Sequence, residues 1–390
     1  MLDFRFISPT QFVVGRNAEE ALVSEASKLG DKILLHYGGG SIKKSGLYDR
    51  VKKYLAEAGV GYVELGGVKP NPALTMVRQG IDLCRTENIT GILAVGGGSV
   101  IDSAKAIAIG VPYDGDVWDF YAGSGAPSES LPVGVILTIP AAGSEGSTGS
   151  VVTDEDTQSK FDAGSDVMRP VFSLMNPELT FTLSPYQTAC GIVDMISHVM
   201  ERYFTNTEDV GLTDRLSEAV IRSVIETAPK VFANPEDYQA RAELMWASTI
   251  AHNDVTGLGR EHDWASHQIQ HELSAQYDVA HGAGLAVVFP AWMTHVRKEN
   301  LSRFVQFALR VWNVDYVAGR EDEIALEGIR RHRAFYESIG MPTNLAALGV
   351  NDNRYGIMAD KAMRDGSFGG LKKLNKEDVI AIYTLAGLLP

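Results

Sequence analysis

Along the first half of the chain, apolar residues fall in short runs separated by glycine, proline and acidic turns. KILLHY (32–37), GYVEL (61–65), GILAV (91–95) and VGVILTIP (133–140) are too short for helices and show no polar alternation, as expected of strands buried on both faces. Three of them are followed by turn-forming glycine or proline and then by helical periodicity. That order predicts βαβ units and a parallel sheet. An extended pair is expected around FRFISPTQFVVG (4–15), and a hairpin in SVVTDEDTQSKFDAG (150–164), where β-branched residues flank an acidic turn.

From Ser184-Pro185 onward the pattern changes to long amphipathic stretches with few strand signals. Ser184 can cap a helix and Pro185 can occupy its first turn. The pattern predicts an α/β N-terminal domain over 1–184 and an all-α domain over 185–390. No solenoid period, low-complexity tract or heptad repeat is visible, and GGGS, which occurs twice, is the only internal echo.

The second half contains the chemistry. Asp194 and His198 are four apart in CGIVDMISHVMERYF, so a helix places both side chains on one face. HDWASHQIQHELSAQYDVAHGAG repeats the spacing with His267 and His271 and adds His281 ahead of Gly-Ala-Gly. An isolated Asp/His pair at this spacing is usually a solvated helix face. Here four of the nine histidines (His262, His267, His271, His281) fall within twenty positions, which favours convergence on an ion. One carboxylate with several imidazoles suits Zn(II) or Fe(II) and not Ca or Mg.

Composition narrows the partners. A net charge of −14 argues against nucleic acid and anionic membranes, leaving small molecules. The N-terminus lacks a basic segment followed by an apolar one, no apolar run reaches membrane-span length, and Cys84 and Cys190 stand far apart. A cytoplasmic location is expected, with no disulfide framework and no cysteine-bound zinc.

Two glycine turns complete the picture. In GILAVGGGSVIDSAKAIAIG a buried strand meets Gly96-Gly97-Gly98-Ser99 and then a helix carrying Asp102 and Lys105, an arrangement whose bare amides and helix terminus can hold a diphosphate. It is not a G-x-G-x-x-G fingerprint. The second turn, HYGGGSIKKSG, offers Gly38, Gly39, Gly40 and Ser41, followed by Lys43 and Lys44 and by no acid that would repel a 2′-phosphate, so NADP(H) is expected over NAD(H). The small-residue loop TIPAAGSEGSTGS (138–150) is long enough to close over a cofactor.

Taken together, these residues resemble the iron-containing (group III) alcohol dehydrogenases, and within them the butanol-dehydrogenase-like branch. The resemblance spans essentially the whole chain. It is carried by Lys69-Pro70-Asn71-Pro72, the GGGSVIDSAK turn, the Pro140…Gly143-Ser144-Glu145 loop, Asp194 with His198, and the H-x3-H-x9-H spacing of His267, His271 and His281. It implies the dehydroquinate synthase-like fold, with metal ligands at Asp194, His198, His267 and His281, and with His271 nearby as a proton carrier. It also implies cofactor contacts at Gly97, Gly98, Ser99, Asp102, Thr138 and Lys160, and the adenosine end at Gly38, Gly39, Gly40 and Ser41. A homodimer is expected. The chain departs from that branch at Gly146-Ser147, where bulkier residues are expected, and in the charged Gly259-Arg260-Glu261-His262-Asp263-Trp264.

Such a site implies hydride transfer between NADP(H) and a primary alcohol or aldehyde, with a divalent ion polarising the oxygen. Three alternatives use related parts: a metal hydrolase, a polyol dehydrogenase of the same fold, and a metal- or nucleotide-binding sensor. The glycine turns count against the hydrolase.

Overall fold

The computed structural model describes residues 1–364 and 366–388. They form two compact units: one of Ile7–Leu183 with Glu236–Thr249, the other of Met1–Phe6, Ser184–Pro235 and Ile250 onward. Two short segments therefore cross the single cut expected after 184. The terminal ammonium of Met1 donates to the Glu208 carbonyl and the Leu2 amide to that of Gly259. Thr249 donates to Glu145 at 2.6 Å, and Trp246 packs edge-on against Phe12.

The first unit is built on a six-stranded sheet of β1 (Gln11–Val14), β2 (Lys32–Gly38), β3 (Gly61–Val68), β4 (Gly91–Gly97), β5 (Val133–Ile139) and β8 (Phe172–Met175), in the order β1-β8-β5-β4-β2-β3. Every pairing in it is parallel. The hairpin of β6 (Gly149–Asp154) and β7 (Ser159–Gly164) stands apart as an antiparallel pair. The labelled helices here are α1 (Leu47–Ala58), α2 (Leu74–Thr86) and α3 (Gly98–Gly110). Successive strand side chains point to opposite faces: Leu34, Ala94 and Val135 join one core cluster, while Leu35, Leu93 and Ile136 join the other. Covering both faces requires the near-continuous apolar runs seen in the sequence.

The N-terminal region corrects one expectation. Only Gln11–Val14 forms a strand, and it pairs with β8 rather than with its own neighbour. β8 itself went unrecognised in the sequence because four residues interrupted by Ser173 carry little periodicity.

The second unit is helical: α4 (Pro185–Tyr203), α5 (Gly211–Ala233), α7 (Ala265–Tyr277), α8 (His281–Val296), α9 (Leu301–Arg310), α10 (Glu321–Ser338), α11 (Tyr355–Ala362) and α12 (Lys376–Leu388); α6 (Tyr238–His252) belongs to the first unit as far as Thr249. α4 begins as its sequence predicts. The Ser184 hydroxyl accepts the Gln187 amide at 3.2 Å, the Gln187 side chain accepts the Ser184 amide at 3.3 Å, and Pro185 opens the first turn. α8 is apolar on every side and is buried from Gly282 to Met293, packed against α4, α7, α10 and α12. No helix among the described residues is long and apolar enough to cross a membrane.

Candidate functional site

In the helical unit, three elements bring the predicted metal-site residues together. Asp194 and His198 lie one turn apart on α4, His267 and His271 one turn apart on α7, and His281 begins α8. Asp194, His267 and His281 each offer a ligand atom within 4.8 Å of the other two. The His198 ring centre lies 4.6 Å from that of His267, while His198 Nδ1 is 3.2 Å from Asp194 Oδ1. His271 is buried, its ring 5.6 Å from that of His281; neither it nor the predicted ligand His198 belongs to the convergent trio.

Hydrogen bonds around the rings define their chemistry. His198 Nδ1 lies 2.9 Å from the Asp194 carbonyl, His267 Nδ1 is 2.7 Å from Glu201 Oε1, and His281 Nδ1 meets Gln270 Oε1. The carbonyl of Asp194 and the amide oxygen of Gln270 can only accept, as can an ionised Glu201, so a ring in its neutral form would carry its proton on Nδ1 and leave the lone pair on Nε2. One carboxylate with three imidazoles of this tautomer fits a divalent ion such as Fe(II), because ligating histidines characteristically donate their other N–H to an oxygen.

Glu201 is fully buried and also accepts the His267 amide at 2.9 Å. Burial pushes its carboxyl up to about 8, against the opposing pull of the His267 amide and of His198; a bound cation would draw it down again. Arg202, completely buried, bonds to the His198 carbonyl at 2.7 Å and to His252 at 3.0 Å, with Trp264 stacked 4.7 Å from its guanidinium. Sequence reasoning overlooked Glu201, Gln270 and His252. Glu201 follows Asp194 by seven positions and so shares its helix face, a usable signal. His252 carries none, since only folding brings its ring within 4.2 Å of His198.

His262, counted with the histidine cluster in the sequence, proves structural. Its Nε2 is 2.9 Å from the Gly257 carbonyl, and burial holds the ring at about 4. Two other charges of the 259–264 segment are also used internally. Arg260 pairs with Asp214 at 2.9 Å, and Asp263 accepts the amides of Ala265, Gly370 and Leu371.

In the α/β unit the predicted cofactor residues gather at the carboxyl ends of neighbouring strands. Gly38 ends β2, with Gly39, Gly40 and Ser41 following; Gly97 ends β4, with Gly98 and Ser99 opening α3; Thr138 lies near the end of β5. The chain moves outward from β2 to β3 on one side and through β4, β5 and β8 on the other, which makes β2/β4 the topological switch point, the customary ligand crevice of such sheets. A Cβ on Gly96 or Gly97 would strike Val100 or Ile139 at under 3 Å, whereas on Gly98 it would meet only Ala142, at 3.5 Å.

Asp102 and Lys160 are engaged within the scaffold. Asp102 accepts the Ser144 hydroxyl at 2.6 Å and the Val151 amide at 3.1 Å, and Lys160 donates to Asn71 at 3.0 Å. The 138–150 loop is pinned rather than poised to close. Lys105, fully buried, donates to the Ser147 and Gly149 carbonyls, Arg169 to that of Gly146, and Ser173 to that of Glu145. Nor does Gly146 open space: a Cβ there would stand 2.8 Å from the Phe12 ring, which fills the position where a bulkier residue was expected.

Glu64 qualifies the reading of the adenosine end. The turn after β2 carries no acid, but Glu64 on β3 accepts hydroxyls from Tyr37 at 2.8 Å and Tyr48 at 2.7 Å, and the Lys43 ammonium lies 5.1 and 4.9 Å from those rings. Burial raises the Glu64 carboxyl, yet the two tyrosine bonds and nearby lysines prevail and leave it lowered.

Residues 9–177 match the family model described as iron-containing alcohol dehydrogenase, and residues 188–387 the C-terminal model of the same family. The chain is 46% identical to the probable NADH-dependent butanol dehydrogenase 1 of Bacillus subtilis over 98% of this chain and 99% of that protein. It is 36% identical to the NADPH-dependent aldehyde reductase of Escherichia coli, covering 94% of each. Among solved structures, that of NADH-dependent butanol dehydrogenase A from Thermotoga maritima superposes with a TM-score of 0.96 at 38% identity, over 99% of both chains.

Proposed function

This chain belongs to the iron-containing alcohol dehydrogenase family and is an oxidoreductase of alcohols and aldehydes that uses a nicotinamide cofactor; from that premise we propose that it acts on small primary alcohols and aldehydes, with NADP(H) preferred and one divalent ion held by Asp194, His198, His267 and His281. The observation that carries the metal site is the oxygen facing Nδ1 of each of the three imidazoles around one buried carboxylate. When bound, the metal supplies a Lewis acid for the substrate oxygen and the nicotinamide gives or takes the hydride.

The residues of the chain do the rest. Asp194 neutralises one of the two positive charges and the neutral imidazoles none, so the site stays net positive and can favour an alkoxide. The amides at Gly97, Gly98 and Ser99, at the start of the thirteen-residue α3, receive the diphosphate. Asp102 and Lys160 brace the loop and hairpin beside that turn, within reach of the cofactor role the family resemblance gives them. To His271, buried beside His281, we assign the proton-carrying role that the family resemblance implies.

The cofactor preference is supported by open space at Gly39 and Gly40, where an added Cβ would meet nothing within 4 Å, and by the cation at Lys43. Relatives bear names of both kinds, NADH-dependent and NADPH-dependent. A homodimer is proposed as the state in solution, supported by the exposed Leu2, Phe4 and Phe6 at alternate positions of the N-terminal segment. A cytoplasmic location is supported by the two free cysteines.

The test couples metal analysis to turnover. Protein purified anaerobically should carry one divalent ion per chain and oxidise NADPH at 340 nm with butyraldehyde. His281→Ala should lose both metal and turnover, and stoichiometric metal in that variant would refute the ligand set. Equal or higher kcat/KM with NADH in the parent protein would refute the cofactor preference alone.

A further inference from the structure

His281 must present one definite nitrogen to the ion, and the bonds leading away from its ring decide which. Ser274 has a single hydroxyl proton and gives it to the Val279 carbonyl at 2.9 Å. Its oxygen can therefore only accept from the Gln270 amide, whose Nε2 lies 2.7 Å away. That contact orients the amide, turning Oε1 toward His281 Nδ1, which must donate. Nε2 is left with the lone pair, 3.5 Å from Asp194 Oδ1.

Room for this chain of bonds comes from the Gly-Ala-Gly that follows His281. A Cβ on Gly284 would stand 2.6 Å from Gln270 Nε2, so the buried amide lies where any other residue would put a side chain. A Cβ on Gly282 would stand 2.2 Å from the Cys190 carbonyl, so only glycine lets the first turn of α8 close against α4 one turn before Asp194.

We infer that Gln270 is a positioning residue for the metal: oriented by Ser274 and seated over Gly284, it holds His281 in the tautomer and orientation that leave Nε2 to the ion. The inference rests on the reading of Asp194, His198, His267 and His281 as ligands. It goes beyond them to a side chain that touches neither metal nor substrate.

The test uses metal-free full-length protein and measures affinity for Zn(II) and Co(II) by competition with a chromophoric chelator. Gln270→Leu keeps the bulk and removes the acceptor, and should lose about 10–100-fold in affinity, the usual cost of removing the oxygen behind a ligating histidine. Gln270→Glu restores an acceptor for His281, with the Ser274 hydroxyl turning from the Val279 carbonyl to the new carboxylate, and should recover most of that loss, while the melting temperature of the metal-free protein stays close to that of the parent in both variants. The visible absorption of bound Co(II) should change in the Leu variant and return in the Glu variant. Parental affinity in Gln270→Leu overturns the inference, as does failure of Gln270→Glu to recover in a folded protein. Should the Leu variant not fold, Ser274→Ala, which frees the amide to turn, decides the matter: a several-fold loss supports the inference and parental affinity overturns it. Parental affinity in His281→Ala would instead remove the metal reading itself, and this inference with it.

Discussion

His332 occupies a position that histidine rarely tolerates. It is completely buried on α10 among Phe307, Trp312 and Tyr336, and neither ring nitrogen has a hydrogen-bond partner among the described residues. Burial drives its pKa down to about 3, and His36 and His262 are each held at about 4 for the same reason. The folded state thus binds these protons later than the unfolded state does. Their contribution to stability is complete above the unfolded value of about 6.5 and falls as pH drops toward the folded value, by up to about 1.4 kcal/mol per unit for each group. His332→Leu removes one such group and two unsatisfied nitrogens. In urea unfolding, the stability of the variant relative to the parent should improve by about 2 kcal/mol between pH 6.5 and pH 5. A constant difference across that range would show that His332 is not buried in its neutral form.

At the scale of elements, the turn from β4 into α3 separates packing from binding. Gly96 and Gly97 have no room for a side chain because Val100 and Ile139 press on them, whereas Gly98 faces open space beyond Ala142. Gly98→Val should therefore leave the fold and the metal content unchanged while covering the helix N-terminus, weakening dinucleotide binding by about tenfold or more in calorimetric titration, since the anion loses its approach to the amides. Unaltered cofactor affinity would place the diphosphate elsewhere. α4 presents the metal-site residues in the same way: one continuous buried helix from a capped start carries Asp194, His198 and Glu201 on a single face.

For the whole molecule, every proposed metal ligand lies in the helical unit, on α4, α7 or α8. Metal bound only by folded protein must therefore stabilise that unit by mass action, about 2.7 kcal/mol at one hundred times the dissociation constant. For a unit of this size that corresponds to about 5–10 °C in Tm. Chelation should lower the melting temperature by that amount and re-addition should restore it, while His281→Ala should respond to neither; a Tm indifferent to metal would contradict the assignment. The sequence by itself determined the features that repeat locally. Strands covered on both faces must be apolar throughout, so KILLHY and GILAV were legible; a helix has a fixed period, so Asp194 with His198 was legible, as was the capped start at Ser184. Only the tertiary structure decided what depends on approach between distant segments. It paired β1 with β8 and brought His252 to His198 and Glu64 to the hydroxyls of Tyr37 and Tyr48. It also withdrew His262 into a structural bond, and set Gln270 behind His281. The physical reason is that periodicity and capping are properties of adjacent residues, whereas the partner of a buried polar atom is chosen by whichever segment folding brings within about 3 Å.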